Sequence, residues 1–266
     1  MSAIRPPAVA GTFYPADAAR LRSTVEGHLV DGEGARGERP PKALIAPHAG
    51  YVYSGAVAGH AFAALGDRAS EISRVVVIGP AHFVPFRGIA LPSAAAFRTP
   101  LGDVPLDGEA IIRIRDLPRV AFSDAPHEPE HAIEVELPFL QSVLGDFKLV
   151  PLLVGDATPE EVAAVLERLW DGPETLIVIS SDLSHYEGYA RASEHDAATA
   201  AAIERFNYGA LGPRDACGYL PIAGLLIEAR RRGMLALRLD LRNSGDTAGP
   251  KDRVVGYGAW AFGAAA

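Results

Sequence analysis

A single cysteine, Cys217, stands in 266 residues, so no intrachain disulfide can form. No stretch reaches the roughly 18 uninterrupted apolar residues that a membrane helix requires, and no membrane association is expected. Basic residues are outnumbered: 25 Lys and Arg face 33 Asp and Glu, for a formal charge of −8. That balance argues against nucleic acid or an anionic membrane as a general partner. Met1 to Pro7 lacks the apolar core of a signal peptide, and the cytoplasm is the expected location. A phosphate-binding P-loop, a Gly-x-Gly-x-x-Gly after a strand, a His-Glu-x-x-His pair and a nucleophile-elbow serine are all missing.

What is present is an ordinary globular composition, 48% hydrophobic and 22% charged, that suits one α/β domain over residues 1–266. Helical spacing runs from Ala18 to Val30, with Leu21, Val25 and Leu29 on one face. Asp31 to Pro41 mixes Gly, Pro and charge and reads as a solvated loop. Lys42–Ala46, Arg74–Gly79, Phe147–Val154 and Thr175–Ser180 are apolar runs of the kind that form strands covered on both faces. Between and after them lie helical segments at Gly55–Leu65, Gly108–Asp116, Glu130–Leu144, Thr158–Trp170, Ser193–Phe206 and Pro221–Arg232; Pro138 should kink or restart the third. Leu235–Arg242 and Val254–Phe262 read as closing strands, which could be antiparallel. The alternation predicts an α/β sandwich with a mostly parallel central sheet flanked by helices.

Three of the buried strands end alike. Ala43–Ala46 runs into Pro47-His48, Val75–Gly79 into Pro80-Ala81-His82, and Leu176–Ser181 into Asp182-Leu183-Ser184-His185. In parallel neighbours these side chains converge on one rim, where open α/β sheets bind ligands. Imidazoles with a carboxylate suit a divalent transition metal and also acid–base work. Asp182 and His185, three apart, would share a helical turn; a capping role for Ser181–Ser184 is the plainer reading. Cys217 precedes a helix, where the dipole would favour thiolate for metal binding or reaction, although a lone cysteine is commonly a small core residue. His131 and Glu134 share a helix face, for metal or for simple surface pairing. Phe13, Tyr14, Tyr51 and Tyr53 could wall the site beside His48. His28, His60, His127 and His195 read as surface or satisfied core residues.

With those residues in view, nearly the whole chain resembles the MEMO family. The supporting stretches are Pro47-His48-Ala49-Gly50-Tyr51-Val52-Tyr53-Ser54-Gly55, Gly79-Pro80-Ala81-His82, Glu130-His131-Ala132-Ile133-Glu134, Ser180-Ser181-Asp182-Leu183-Ser184-His185, and Cys217-Gly218 with Pro221-Ile222. The resemblance implies a fold similar to class III extradiol dioxygenases. It also implies metal ligands His48, His82 and Cys217, with Asp182 and His185 as supporting or catalytic groups and Tyr51, Tyr53, Phe13 and His131 lining the pocket. Thiolate in place of the dioxygenases' carboxylate favours iron or copper redox chemistry over catechol ring cleavage. Eukaryotic members are reported to bind phosphotyrosine peptides, but this chain has Phe13 where they carry tryptophan and Phe83 where they carry histidine. Bacterial members often accompany a radical-SAM protein, which makes such a system an expected partner.

The resulting expectation is a metal-binding, dioxygenase-like oxidoreductase of unknown substrate. Fe(II) is its first metal, copper its second and zinc a distant third. The alternative is a non-catalytic module that uses the same pocket for a phosphopeptide or partner protein. A cysteine hydrolase is a third reading.

Overall fold

The computed structural model describes residues 3–32 and 41–264, so most of the expected loop between Asp31 and Pro41 lies outside the described residues. In chain order the elements are β1 (Ile4–Arg5), α1 (Ala18–Asp31), β2 (Ala43–Ala46), α2 (Tyr51–Ala63), β3 (Arg74–Pro80), β4 (Ile89–Leu91), β5 (Ala96–Thr99), β6 (Gly102–Pro105) and α3 (Gly108–Ile114). There follow β7 (Val120–Phe122), α4 (Leu137–Leu144), β8 (Lys148–Val154), α5 (Pro159–Leu169), β9 (Thr175–Ser180) and β10 (His185–Glu187). The chain closes with α6 (Tyr189–Glu204), α7 (Tyr219–Arg231), β11 (Met234–Asn243) and β12 (Val254–Ala264). No helix among the described residues is long and apolar enough to cross a membrane.

The apolar runs form the centre of a nine-stranded sheet, in which β2, β9, β3 and β8 lie side by side and parallel. Their side chains alternate between two buried faces. Leu44, Val75, Val77 and Val178 join one core, while Ile45, Val76, Ile78 and Ile179 join the other. Burying each of these residues contributes about 1.5–3 kcal/mol, which is why the pattern can be continuous rather than alternating. Outside this block the sheet is mixed. β12 runs antiparallel to β2 and carries both β11 and β10 antiparallel to itself; β4 is antiparallel to β8 and parallel to β7. The two long closing strands are thus an antiparallel pair joined through the turn after Asn243.

Two local expectations differ from the structure, each for a backbone reason. Glu130–Leu144 is not one helix: a 3-10 turn at Glu134–Glu136 leads into α4, which begins at Leu137 with Pro138 in its first turn. There the missing amide hydrogen forfeits no intrahelical bond. Asp182 and His185 share no helical turn either, because His185 opens β10 and α6 starts only at Tyr189.

Glu134 is also not the exposed partner of His131 that spacing suggests. Fully buried, it accepts the Arg5 guanidinium, the Tyr14 hydroxyl, and the amides of Ala8 at 2.7 Å and Val9 at 3.0 Å. One carboxylate thereby ties the N-terminal segment to the body of the fold.

Nearby, buried His127 donates from Nε2 to the Ala90 carbonyl at 3.1 Å. Burial, reinforced by the Arg5 charge, holds it down at about 4 against an ordinary 6.5. The unfolded chain therefore binds the extra proton between those values, so the stability from this residue is complete above pH 6.5 and lost as pH falls toward 4. In urea titrations, the acid-side loss of stability across that window is expected to be smaller by about 2–3 kcal/mol in His127→Gln than in the parent. Equal losses in the two proteins would contradict it.

Candidate metal centre

β9 lies between β2 and β3, with Ala46 opposite Ser180 and Ile78 opposite Ile179. The three strand ends therefore meet on one rim. Pro47 and Pro80 stop or close their strands, and the chain turns so that His48 and His82 present their rings to one another, with centroids 5.2 Å apart.

Each ring is fixed by a partner from elsewhere in the chain. His48 is almost fully buried; its Nδ1 lies 2.7 Å from Ser180 Oγ, and its amide donates to Asp182 Oδ1 at 2.8 Å. Ser180 in turn contacts Glu136 Oε1 at 2.9 Å and donates to the Ala132 carbonyl at 2.6 Å. The one hydroxyl proton of Ser180 is directed to these acceptors, so its Oγ accepts Nδ1–H of His48. That arrangement leaves Nε2 of His48 as a lone-pair donor. His82 follows the same logic: its amide and Nδ1 donate to the two oxygens of Glu130 at 2.6 and 2.9 Å, leaving Nε2 free. Glu130 also accepts the amides of His131 and Ala132 at 2.9 and 3.0 Å. Burial alone would raise this carboxyl, but the hydrogen bonds and charge from His82 outweigh it and hold it at about 2.

His131 completes the cluster. Its ring stacks on His82 at 4.8 Å and meets His48 edge-on at 5.3 Å. One nitrogen from each of His48, His82 and His131 lies within 4.8 Å of the other two. Nδ1 of His131 is buried without a hydrogen-bond partner, although Glu130 Oε1 is 3.2 Å away. Burial, with the neighbouring histidine charges, pushes His48 down to about 3 and His131 to about 4. At neutral pH both rings are uncharged and offer lone pairs. A third uncharged imidazole beside two tautomer-locked ones, with one nitrogen of each within 4.8 Å of the others, fits a divalent transition metal.

Cys217 stands next to this group rather than within it. Its Sγ is 3.4 Å from Nε2 of His48 and accepts the Asp182 amide at 3.3 Å, just ahead of α7. Burial and the charge of Asp182 push the thiol up to about 12, the reverse of the lowering expected from the helix dipole. The dipole is outweighed because the sulfur is desolvated against a carboxylate. A thiol so raised is protonated at neutral pH and gives no support to the hydrolase reading.

A cavity of about 540 Å³ opens over the cluster, lined by His48, His82, His131, Asp182 and His185, with Phe13 and Tyr53 on its walls. Phe13 packs 4.8 Å from the His131 ring. Tyr51 does not line it. Instead it is buried in the core and its hydroxyl donates to the Val135 carbonyl at 2.7 Å, because the first turn of α2 directs Tyr51 inward and Tyr53 outward. His185 donates from Nδ1 to the Leu183 carbonyl at 2.8 Å. Glu130, Ser180 and Glu136 were not singled out in the sequence. Glu130 and Ser180 carried a signal there, as members of stretches that resemble the family.

A family model described as a Memo-like protein matches residues 5–261. The chain belongs to the Memo-like family. A MEMO1 family protein from Sulfolobus acidocaldarius is 35% identical over 98% of this chain and 99% of its own length. Another from Thermotoga neapolitana is 38% identical over 96% and 98%. Among solved structures, an uncharacterized Escherichia coli K12 protein superposes with a TM-score of 0.54 at 15% identity, over 85% of this chain and all of the other, a likeness of fold alone.

In this Memo-like protein the Glu130–His82 pair is the clearest support for a metal ligand. Glu130→Gln keeps the shape but removes the carboxylate that accepts Nδ1–H of His82 and holds its ring. It is expected to weaken transition-metal binding by about 10–100-fold, read by competition with a chromophoric chelator. Unchanged affinity would show that His82 does not hold metal.

Proposed function

We propose that this Memo-like protein is a non-haem iron or copper protein that carries out oxidative chemistry on a small organic molecule in the cavity. The single observation that carries this reading is the cluster of three imidazoles, each offering one nitrogen within 4.8 Å of the other two. His48, His82 and His131 would hold the metal. Cys217, beside Nε2 of His48, would join them once the metal displaces its proton. Three nitrogens with one thiolate favour iron or copper over magnesium or calcium, which prefer oxygen. Such a metal, when bound, supplies one-electron redox chemistry and positions for substrate.

The chain's own residues supply the rest. Asp182 anchors the His48 main chain, and burial raises its carboxyl. His185 keeps Nδ1 on Leu183 and turns Nε2 to the cavity as a proton acceptor or donor. Phe13 and Tyr53 shield the site from bulk water.

The test is anaerobic purification without chelator, elemental analysis, and reconstitution with Fe(II), Cu(I) or Zn(II). Near-stoichiometric iron or copper, with an Fe(II)–nitric oxide electron-spin signal in the iron form, is expected. No binding above background by the parent protein would overturn the reading. Tight binding of a phosphopeptide by metal-free protein would favour a binding module instead.

A further inference from the structure

One cation faces the cavity unneutralised. Arg253, just before β12, lines it together with Tyr186, and its guanidinium sits 4.9 Å from the centre of the Tyr186 ring. Arg5, Arg74, Arg98, Arg113, Arg168 and Arg238 each face a carboxylate. Among the described residues none is within ion-pair distance of Arg253, and its side-chain N–H groups have no protein acceptor; its one side-chain contact of this kind is the aromatic ring. Stacking on tyrosine orders the guanidinium while leaving its hydrogen-bonding edge free.

The backbone is bent to place that ring. Tyr186 has φ +62°, in the left-handed region that a bulky residue seldom adopts. It falls where the pairing of β10 with β12 slips, between His185 opposite Val255 and Glu187 opposite Val254. A bulge of this kind re-aims one side chain, and here it turns Tyr186 outward, 64% exposed, at the cavity mouth beneath Arg253. Strain retained at an exposed ring makes sense where the ring has a task.

We propose that the cavity takes a small organic anion whose carboxylate or phosphate is bound by Arg253, with Tyr186 as the platform that positions it. The guanidinium fork matches either group in two parallel hydrogen bonds. Phe13 and Tyr53 offer apolar wall for the body of the molecule, and the histidine cluster lines the same cavity. In a chain of net charge −8, a cation at the mouth also offsets the repulsion an anion would meet on approach. This rests on the cavity being the substrate site, as the proposed function has it, but not on any metal.

Ligand-observed NMR with benzoate, phenyl phosphate and neutral benzamide tests it, on protein as purified and after chelator treatment. At least one acid is expected to bind about tenfold or more tightly than benzamide, and the acid that does so identifies the anion. Arg253→Gln should erase that preference, Arg253→Lys should keep part of it, and Arg98→Gln, whose partner Asp103 lies outside the cavity, should leave it unchanged. Equal binding of acids and benzamide, no binding of either acid at millimolar concentration, or an Arg253→Gln protein that binds as the parent does would each overturn the proposal. Metal is assayed on the same samples. Acid preference without metal leaves this inference standing and sinks the metal centre; metal without acid preference does the reverse.

Discussion

Glu134→Ala is expected to lower unfolding free energy by about 3–5 kcal/mol, a large part of the roughly 5–15 kcal/mol that holds a domain together. The carboxylate is fully buried and faces a guanidinium that is itself only 6% exposed. Removing it leaves the Arg5 charge in a low-dielectric site, where only the main-chain carbonyls of His127 and Glu130 remain to receive its N–H groups. Three more donors lose their acceptor at once: the amides of Ala8 and Val9 and the Tyr14 hydroxyl. The buried Tyr14 hydroxyl adds about 1–3 kcal/mol of lost solvation, while the amides of Ala8 and Val9, only partly buried, add less. Glu134→Gln keeps an acceptor oxygen and should cost distinctly less than the alanine variant. Urea unfolding of the three proteins decides the matter, and a loss below about 1 kcal/mol for Glu134→Ala would refute the anchoring role. The damage should reach the site, because Phe13, which packs on His131, belongs to the segment that Glu134 ties down.

The second large effect concerns metal. His48→Ala should weaken transition-metal binding by about 100-fold or more, since Nε2 of His48 adjoins both the histidine cluster and Cys217. His131→Ala and Cys217→Ala separate the donors. The His131 ring is already neutral at pH 7, so its contribution should hardly change between pH 6 and 8. The Cys217 thiol stands near 12 without metal and must release its proton on binding, so its contribution should grow as pH rises. Cys217→Ala is thus expected to flatten the pH dependence of affinity, whereas His131→Ala lowers affinity at every pH. Anaerobic competition titrations at several pH values read both. A Cys217→Ala protein with the parent's affinity and the parent's pH slope would remove sulfur from the ligand set. If instead His131→Ala had no effect, Cys217 would be the third donor.

By itself the sequence determined the elements whose cause is local. The apolar runs at Ala43–Ala46, Val75–Ile78 and Leu176–Ile179 suit strands covered on both faces, and Pro47 and Pro80 mark where two of them yield to loops, which places His48 and His82 at strand ends. The five stretches that resemble one family were equally legible, because they are contiguous. Everything that depends on residues distant in the chain was decided by tertiary structure. Glu130 locks His82 from 48 positions away, and Cys217 reaches His48 across 169. Whether Tyr51 or Tyr53 faces the cavity follows from how α2 is rotated against the core, and Tyr186 reaches the mouth only through a slip in strand pairing. The direction of the Cys217 shift turned on burial beside Asp182, which overrides the helix dipole. Strand formation answers to neighbours in sequence, whereas ligand tautomers, thiol acidity and cavity walls answer to neighbours in space, and those exist only once the sheet has brought its strand ends together.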